Sequence, residues 1–595
     1  MFSIQFTLQM PHSSLIMNNC NDIASSWLRD FSNSLVSAEV DAVASSFHPD
    51  GWFRDLLVFT WDNRSLEGHD NIRKYLADTL ARAKITDVTL EERPHLKPVF
   101  GNVTPRHQGV EAGFTFQSNI ALGEGFFRLT QNEESGEWKA LSVYMAVRDL
   151  KGHEELGPES GVYGGHTIPW DQVWRERCAY AEKNVDVLII GAGQTGLNIG
   201  ARFKQMGLQT IIVEKNRRVG DVWRKRYPTL TLHTPRTQHP MLYQPFPKNW
   251  PMFTPRDKLA NWFEQYAQSQ DLMVWTNSRP LPVPAYDQES KRWSVSIDRD
   301  GTIVELRPSH IIVACGTLGS PQVPRIPNSN EFAGSIIHTG SFNGAAPFTG
   351  KRVIVVGAGN TSADVCQDLV THNAAEVTVV QRSSSCVISV NTVKDRLLAM
   401  WPEGVPTEIS DFKSASMPFG LLKKIFIDGA DDAWALEKEM HDGLRKAGLQ
   451  LNMGPSGAGQ LTLVYERLGG YWLDVGCAKL IAGGQVKVKQ GVEVDHFTKD
   501  GVVYTDGSTQ EADVVVFATG YRNIREDMKD LFGDEVISKT GEVWGLDSED
   551  EVKGAYRPSG HPGLWFAAGD FFHSRYMSKR TGLEIKAIQL GLRTA

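Results

Sequence analysis

Six cysteines occur in 595 residues, and no two stand at a Cys-x-x-Cys spacing. That absence argues against a zinc cluster and a redox dithiol, so no metal is expected. Cys20, Cys178, Cys315, Cys366, Cys386 and Cys477 read as reduced thiols of a reducing compartment. Positive charge is scarce as well: 62 Lys and Arg against 70 Asp and Glu leave a net charge of −8, which offers no footprint for nucleic acid. No apolar run reaches the roughly 18 residues that a bilayer crossing needs. The first Lys or Arg is Arg29, so the basic start of a secretory signal is missing. The expectation is a cytoplasmic protein with neither membrane nor nucleic acid as partner.

What is present is enough chain for two to four cores, with 41 % hydrophobic and 22 % charged residues, the balance of a folded protein rather than a disordered one. Residues 1–20 read as a flexible tail. Residues 21–150 read as a small α+β domain: a helix over "IASSWLRDFSNSLVSAEVDAVASSF", a second over "HDNIRKYLADTLARA", then strands such as "VEAGFTFQSN" and "WKALSVYMAVRDL". Residues 151–183, rich in Gly and charge at their start, form a linker. From about Val185 the short apolar runs "VDVLIIG", "QTIIVE", "HIIVACG", "RVIVVG", "EVTVV", "ADVVVFATG" and "LWFAAGD" alternate with helical patterns. Such runs suit strands buried on both faces of a parallel sheet. Regularity fades between Ser383 and Val475, read as an insertion that helps shape a pocket, with helices around "VKDRLLAM" and "DDAWALEKEMHDGLRKAG".

Two nearly identical phrases punctuate this part, "LIIGAGQTG" at 188–196 and "VIVVGAGNTS" at 353–362. In the first, Gly191, Gly193 and Gly196 lie between a strand and an amphipathic run. The first glycine permits a tight turn, the second lets a pyrophosphate approach the backbone, and the third lets helix and strand pack closely. Gln194 and Thr195 complete the turn. Glu214, with Lys215 after it, ends the next strand, where a carboxylate accepts a hydrogen bond from a ribose hydroxyl. In the second phrase Gly357, Gly359, Asn360 and Thr361 are followed by Ser362 in place of the third glycine. Its next strand ends in Arg382 and Ser383, suited to a 2′-phosphate that a carboxylate would repel. The fold class is therefore α/β: two Rossmann-like dinucleotide-binding domains, one for FAD and one for NADPH, preceded by a small α+β domain, cone-like by the resemblance given below. The FAD domain spans 184–342 and 500–595, and the NADPH domain with its insertion spans 343–499.

Between the phrases, "FAGSIIHTGSF", with Phe332, Gly334, His338 and Phe342, resembles the fingerprint of class B flavin-dependent monooxygenases, and "FATGY", with Thr519 and Gly520, resembles their domain-linking segment. Phe342 matches the flavin-containing monooxygenase type; Baeyer–Villiger enzymes carry Trp there. "RKRYPTLTLHTPR" and "WLDVGCAKLIAGGQVKVKQGV" resemble the YUCCA-like branch. The likeness covers roughly residues 184–595. Two positions depart from it: Gly220-Asp221-Val222-Trp223 stands for the usual Gly-Gly-x-Trp, and "TLHTPR" lacks the Asn many relatives place against the flavin, leaving His233 and Thr234 there. The N-terminal part resembles nuclear transport factor 2-like and SnoaL-like cones, which serve as pockets, enzymes or homodimer modules.

The resemblance implies that NADPH reduces the flavin, O2 adds to it, and the resulting hydroperoxide oxygenates or oxidatively decarboxylates a small organic substrate. His233, Thr234 and His338 are the candidate catalytic groups, although His338 suits a linker role better. Asp221 and Trp223 are placed near the flavin. Asp570 contacts the ribityl chain or caps the helix after "LWFAA". An NADPH oxidase, a Baeyer–Villiger enzyme, or a non-enzymatic flavin-bound sensor or scaffold are the alternatives.

Overall fold

The computed structural model describes residues 19–594, so the expected tail falls outside the described residues save for its last two positions. The chain forms two compact units. One contains the residues up to Glu154 with Glu408–Ile425 and Ser548–Glu551, and the other contains Glu155–Thr407, Phe426–Asp547 and Val552–Ala595.

In the N-terminal unit, a seven-stranded sheet runs Asn63–Glu67, Phe47–Leu56, Trp138–Leu150, Ala121–Gln131, Gln108–Gln117, Thr86–Leu90, with Val99–Asn102 also paired to Gln108–Gln117. Phe47–Leu56 and Trp138–Leu150 are its parallel pair. Alternation sorts its side chains. Phe53, Phe114, Phe127 and Val143 pack with Trp27, Phe31, Leu76 and Leu80 of the helices in one core. The first helix expected from the sequence is two, Cys20–Val36 and Val40–Ser45. Ala38 takes φ 56° between them, and Phe47 has already entered the sheet. Apolar spacing alone did not reveal that left-handed break.

The sheet's opposite face carries Phe126, Arg128 and Tyr144 and is covered by residues 408–425. Phe412 packs edge-on to Phe126 and Tyr144. Arg128, 5 % exposed, donates to the carbonyls of Ser416 and Lys413, each at 3.3 Å. Arg54 forks onto Glu551 at 2.6 and 2.8 Å, and Arg64 onto Glu549 at 2.8 and 2.5 Å. Part of the insertion between Ser383 and Val475 thus completes this unit. The helix expected over "DDAWALEKEMHDGLRKAG" is also two, Ala430–Leu436 and Lys438–Lys446. Glu437 between them turns its carboxylate to Ser389 and Thr392.

The second unit is built on two parallel five-stranded sheets. The first runs Val274–Trp275, Thr210–Val213, Val187–Ile190, His310–Val313, Leu564–Phe566. The second runs Ser335–His338, Val514–Phe517, Arg352–Val356, Glu376–Gln381, Lys487–Gln490. In each, the chain leaves a central strand toward one side and later returns on the other. The crevice at the carboxyl end of that strand is where such sheets take ligands. Both glycine phrases sit there. Among the described residues, no helix is long and apolar enough to cross a membrane.

Candidate functional site

Each glycine phrase is a strand–turn–helix. Val187–Ile190 leads through Gly191, at φ 108°, into the helix Gln194–Gln205; Arg352–Val356 leads through Gly357, at φ 117°, into Asn360–Thr371. Side chains avoid that backbone region, which is why glycine stands at both. A Cβ at Gly193 would meet nothing within 4 Å, and one at Gly359 only the Tyr471 carbonyl at 3.7 Å. Neither helix has a side-chain cap, so the backbone N–H groups of Gln194 and Thr195, and of Asn360 and Thr361, begin the helices as uncapped donors. An open glycine facing uncapped donors fits a dinucleotide pyrophosphate at both turns.

The third positions differ. A Cβ on Gly196 would lie 1.9 Å from the Gly191 carbonyl oxygen, so only glycine fits. At Ser362 a Cβ is accommodated, and its hydroxyl donates to the Gly357 carbonyl at 2.5 Å.

Glu214 follows Thr210–Val213 and is buried. It accepts from the Ala192 amide at 3.0 Å and from Asn216 at 2.7 Å, which aims it at the first turn and leaves carboxylate lone pairs for a further donor. Lys215 is exposed beside it. Arg382 follows Glu376–Gln381 and is exposed, as is Ser383, and its guanidinium pairs with Glu493 at 2.8 Å. Asp221 opens the short helix Asp221–Arg224, which also holds Trp223; its carboxylate pairs with Arg224 and accepts from the Arg218 amide.

Ser335–His338 and Val514–Phe517 pair in register, His338 opposite Phe517, so the fingerprint histidine and the "ATG" segment emerge side by side. His338 Nδ1 accepts from the Gly340 amide at 3.0 Å, which leaves Nε2 to donate to the Gly520 carbonyl at 3.1 Å. Burial lowers its pKa. Gly520 also accepts from the Gln322 amide, and Thr519 donates to the Gln322 carbonyl at 2.6 Å. Both imidazole nitrogens of His338 are thus engaged by backbone groups just beyond these two paired strands.

Asp570 caps the helix Phe571–Gln589, accepting from the His573 amide and ring, and it also accepts from Gln238 at 3.0 Å. Burial would raise its pKa, but His573 and Arg575 outweigh burial and hold it at about 2. Thr234 meets His239 Nε2 at 2.6 Å, and burial pushes His239 down to about 3, so the ring is neutral. His233 Nε2 lies 3.3 Å from Asp364, which also receives the Tyr227 hydroxyl. His233 and Thr234, adjacent in sequence, therefore join different groups. Gln238, His239, Asp364 and Arg575 belong to no sequence motif. The available signal was the run of Arg575, Lys579, Arg580 and Glu584 inside a helix, and all four are buried.

The comparisons with known proteins converge on this unit. A family model described as flavin-binding monooxygenase-like matches residues 182–525. The chain is 30 % identical over 357 residues to the indole-3-pyruvate monooxygenase YUCCA1 of Oryza sativa subsp. japonica, covering 59 % of this chain and 81 % of the relative. It is 28 % identical over 357 residues to the probable indole-3-pyruvate monooxygenase YUCCA4 of Arabidopsis thaliana, covering 59 % and 80 %. Among solved structures, an ε-caprolactone-bound cyclohexanone monooxygenase aligns with a TM-score of 0.50 at 17 % identity, over 68 % of this chain and 88 % of that one, a likeness of fold. With the family model spanning more than half of the chain and both glycine turns inside it, the chain belongs to the flavin-binding monooxygenase-like family, which uses FAD and NADPH, and is a flavin-dependent monooxygenase.

Proposed function

We propose that the chain binds FAD at the Gly191 turn and NADPH at the Gly357 turn, each in a Rossmann-like domain, and uses O2 to oxygenate or oxidatively decarboxylate a small organic substrate. The observation that carries this reading is the pair of open turns with unlike neighbours, the buried carboxylate of Glu214 at one and the exposed guanidinium of Arg382 at the other. Bound FAD and NADPH supply the hydride and oxygen chemistry. The chain's own groups bind and orient. The uncapped donors at Gln194, Thr195, Asn360 and Thr361 face the pyrophosphates, Glu214 accepts from the FAD ribose, and Arg382 with Ser383 takes the 2′-phosphate. Asp570, ionised at neutral pH, caps its helix and is a candidate acceptor for the ribityl chain. His338, Thr519 and Gly520 hold the linking strands and so set how the two cofactors face each other.

The relatives named for indole-3-pyruvate put 2-oxo acids first among substrate classes to try. The N-terminal unit, with Cys20–Val36 and Gly68–Ala83 packed on one face of its sheet and residues 408–425 on the other, supports the cone-like reading. The cysteines are free, which suits a cytoplasmic setting. The test is oxygen bookkeeping. The yellow protein is given NADPH and labelled O2 with a 2-oxo acid, an amine, a thioether and a ketone. Label in one product class establishes the monooxygenase and its substrate, whereas quantitative release of hydrogen peroxide with every compound, with no label incorporated, overturns the reading in favour of an oxidase.

A further inference from the structure

Arg382 does not stand alone. The strands Glu376–Gln381 and Lys487–Gln490 are parallel neighbours with Gln381 opposite Gln490, and the Gly491 amide donates to the Gln381 carbonyl at 2.8 Å. Arg382 and the loop after Gln490 therefore leave the sheet side by side. Two hydrogen bonds fix the backbone of that loop at Glu493, whose amide donates to the Thr505 hydroxyl at 3.2 Å and whose carbonyl accepts from the Thr505 amide at 3.0 Å. Its carboxylate lies 2.8 Å from the guanidinium, with side-chain exposures of 76 % for Arg382 and 53 % for Glu493. The neighbouring cations on this edge are already matched, Lys487 with Glu376 at 2.9 Å and Lys489 with Asp506 at 2.7 Å.

An arginine binds a phosphate best with two parallel N–H donors. Here a carboxylate already occupies part of that fork, and a 2′-phosphate arriving at Arg382 meets a like charge at short range. A free ribose hydroxyl meets no such cost. We propose that Glu493 is a specificity-determining residue that competes with the cofactor 2′-phosphate for Arg382, so that this chain discriminates NADPH from NADH less sharply than Arg382 alone would allow. The inference rests on the assignment of NADPH to the second turn. Because the pair is exposed, its competition is modest in size and sensitive to salt.

The test uses the full-length, FAD-loaded protein and calorimetric binding of adenosine 2′,5′-bisphosphate, with adenosine 5′-monophosphate as the ligand lacking the 2′-phosphate. Glu493→Gln is expected to tighten the bisphosphate about two- to fivefold, an exposed pair's worth, and to leave the monophosphate unchanged. The gain should shrink as salt is raised and vanish in the Arg382→Ala background. If Arg382→Ala weakens the bisphosphate while Glu493→Gln leaves it unchanged, the inference about Glu493 fails and the cofactor assignment stands. If Arg382→Ala changes neither ligand, the assignment of the 2′-phosphate fails and takes the inference with it. A gain from Glu493→Gln that persists without Arg382 also overturns the proposal, since the carboxylate would then act through the general field.

Discussion

The twin turns differ at their third position, Gly196 in one and Ser362 in the other, and that difference predicts opposite tolerances. In Gly196→Ala the new Cβ would sit 1.9 Å from the Gly191 oxygen and 3.1 Å from its carbon. Real Cβ atoms essentially never come closer than 3.0 Å to a neighbour, so strand and helix must part by at least 1.1 Å. Such overpacking costs about 1–3 kcal/mol in a tight core. It also displaces the donors proposed to face the pyrophosphate, so the purified variant should carry less flavin than the parent. The mirror change, Ser362→Gly, makes no clash. It removes the hydroxyl bond to Gly357, worth about 0.5–1.5 kcal/mol, and places a glycine in a helix at about 0.5–1 kcal/mol. A loss of about 1–2.5 kcal/mol with flavin content unchanged is expected. Thermal unfolding and flavin absorbance per protein measure both effects. A Gly196→Ala protein as stable and as yellow as the parent would refute the steric reasoning.

Gly193→Val should behave differently again: with nothing within 4 Å of its Cβ the fold survives, as circular dichroism should show, yet the flavin is lost because the side chain occupies the pyrophosphate's path. Arg54→Met strips the guanidinium from Glu551, 4 % exposed, and should cost about 3–5 kcal/mol in denaturant unfolding, whereas Arg54→Met with Glu551→Met should recover most of it. Glu155 is held at about 2: burial would raise it, but Arg202 and Lys579 overcome burial. Its contribution is present above its ordinary value of 4.5 and lost as pH falls toward 2, so Glu155→Gln should flatten the stability profile in that window. Asp55 runs the other way, since burial pushes it up to about 7 against 3.8. Its contribution is complete below 3.8 and lost as pH rises through 7, and Asp55→Asn should remove that slope from thermal unfolding measured between pH 4 and 7.

The features legible in the sequence were those whose cause is local. Gly191 and Gly357 announce themselves because positive φ after a strand excludes side chains, and Glu214 because a buried strand rarely ends in a carboxylate without a partner. The strand "WKALSVYMAVRDL" was readable to its ends, since its central apolar run "VYMAV" lies between polar-containing flanks that belong to the same element. What escaped was long-range. Nothing near Asp364 in the chain indicates that Tyr227 and His233 will meet it, because those side chains come from a loop with no period of its own. Arg54 and Glu551 lie 497 positions apart, and complementarity at that distance leaves no trace in either neighbourhood. Arg382 was readable as a cation at a strand end, but its Glu493 partner was not.

The composition of the N-terminal unit bears on the order in which the protein can be finished. Its sheet is encoded before Glu154, yet Glu408–Ile425 and Ser548–Glu551 are needed to cover Phe126, Arg128 and Tyr144 and to meet Arg54 and Arg64. At ribosomal speeds of about 5–20 residues per second, the stretch from 154 to 551 takes roughly 20–80 s to make. During that interval the nascent sheet presents an unsealed aromatic and cationic surface. A chaperone that shields this surface until Glu551 emerges would raise the yield of folded chain without altering its final stability.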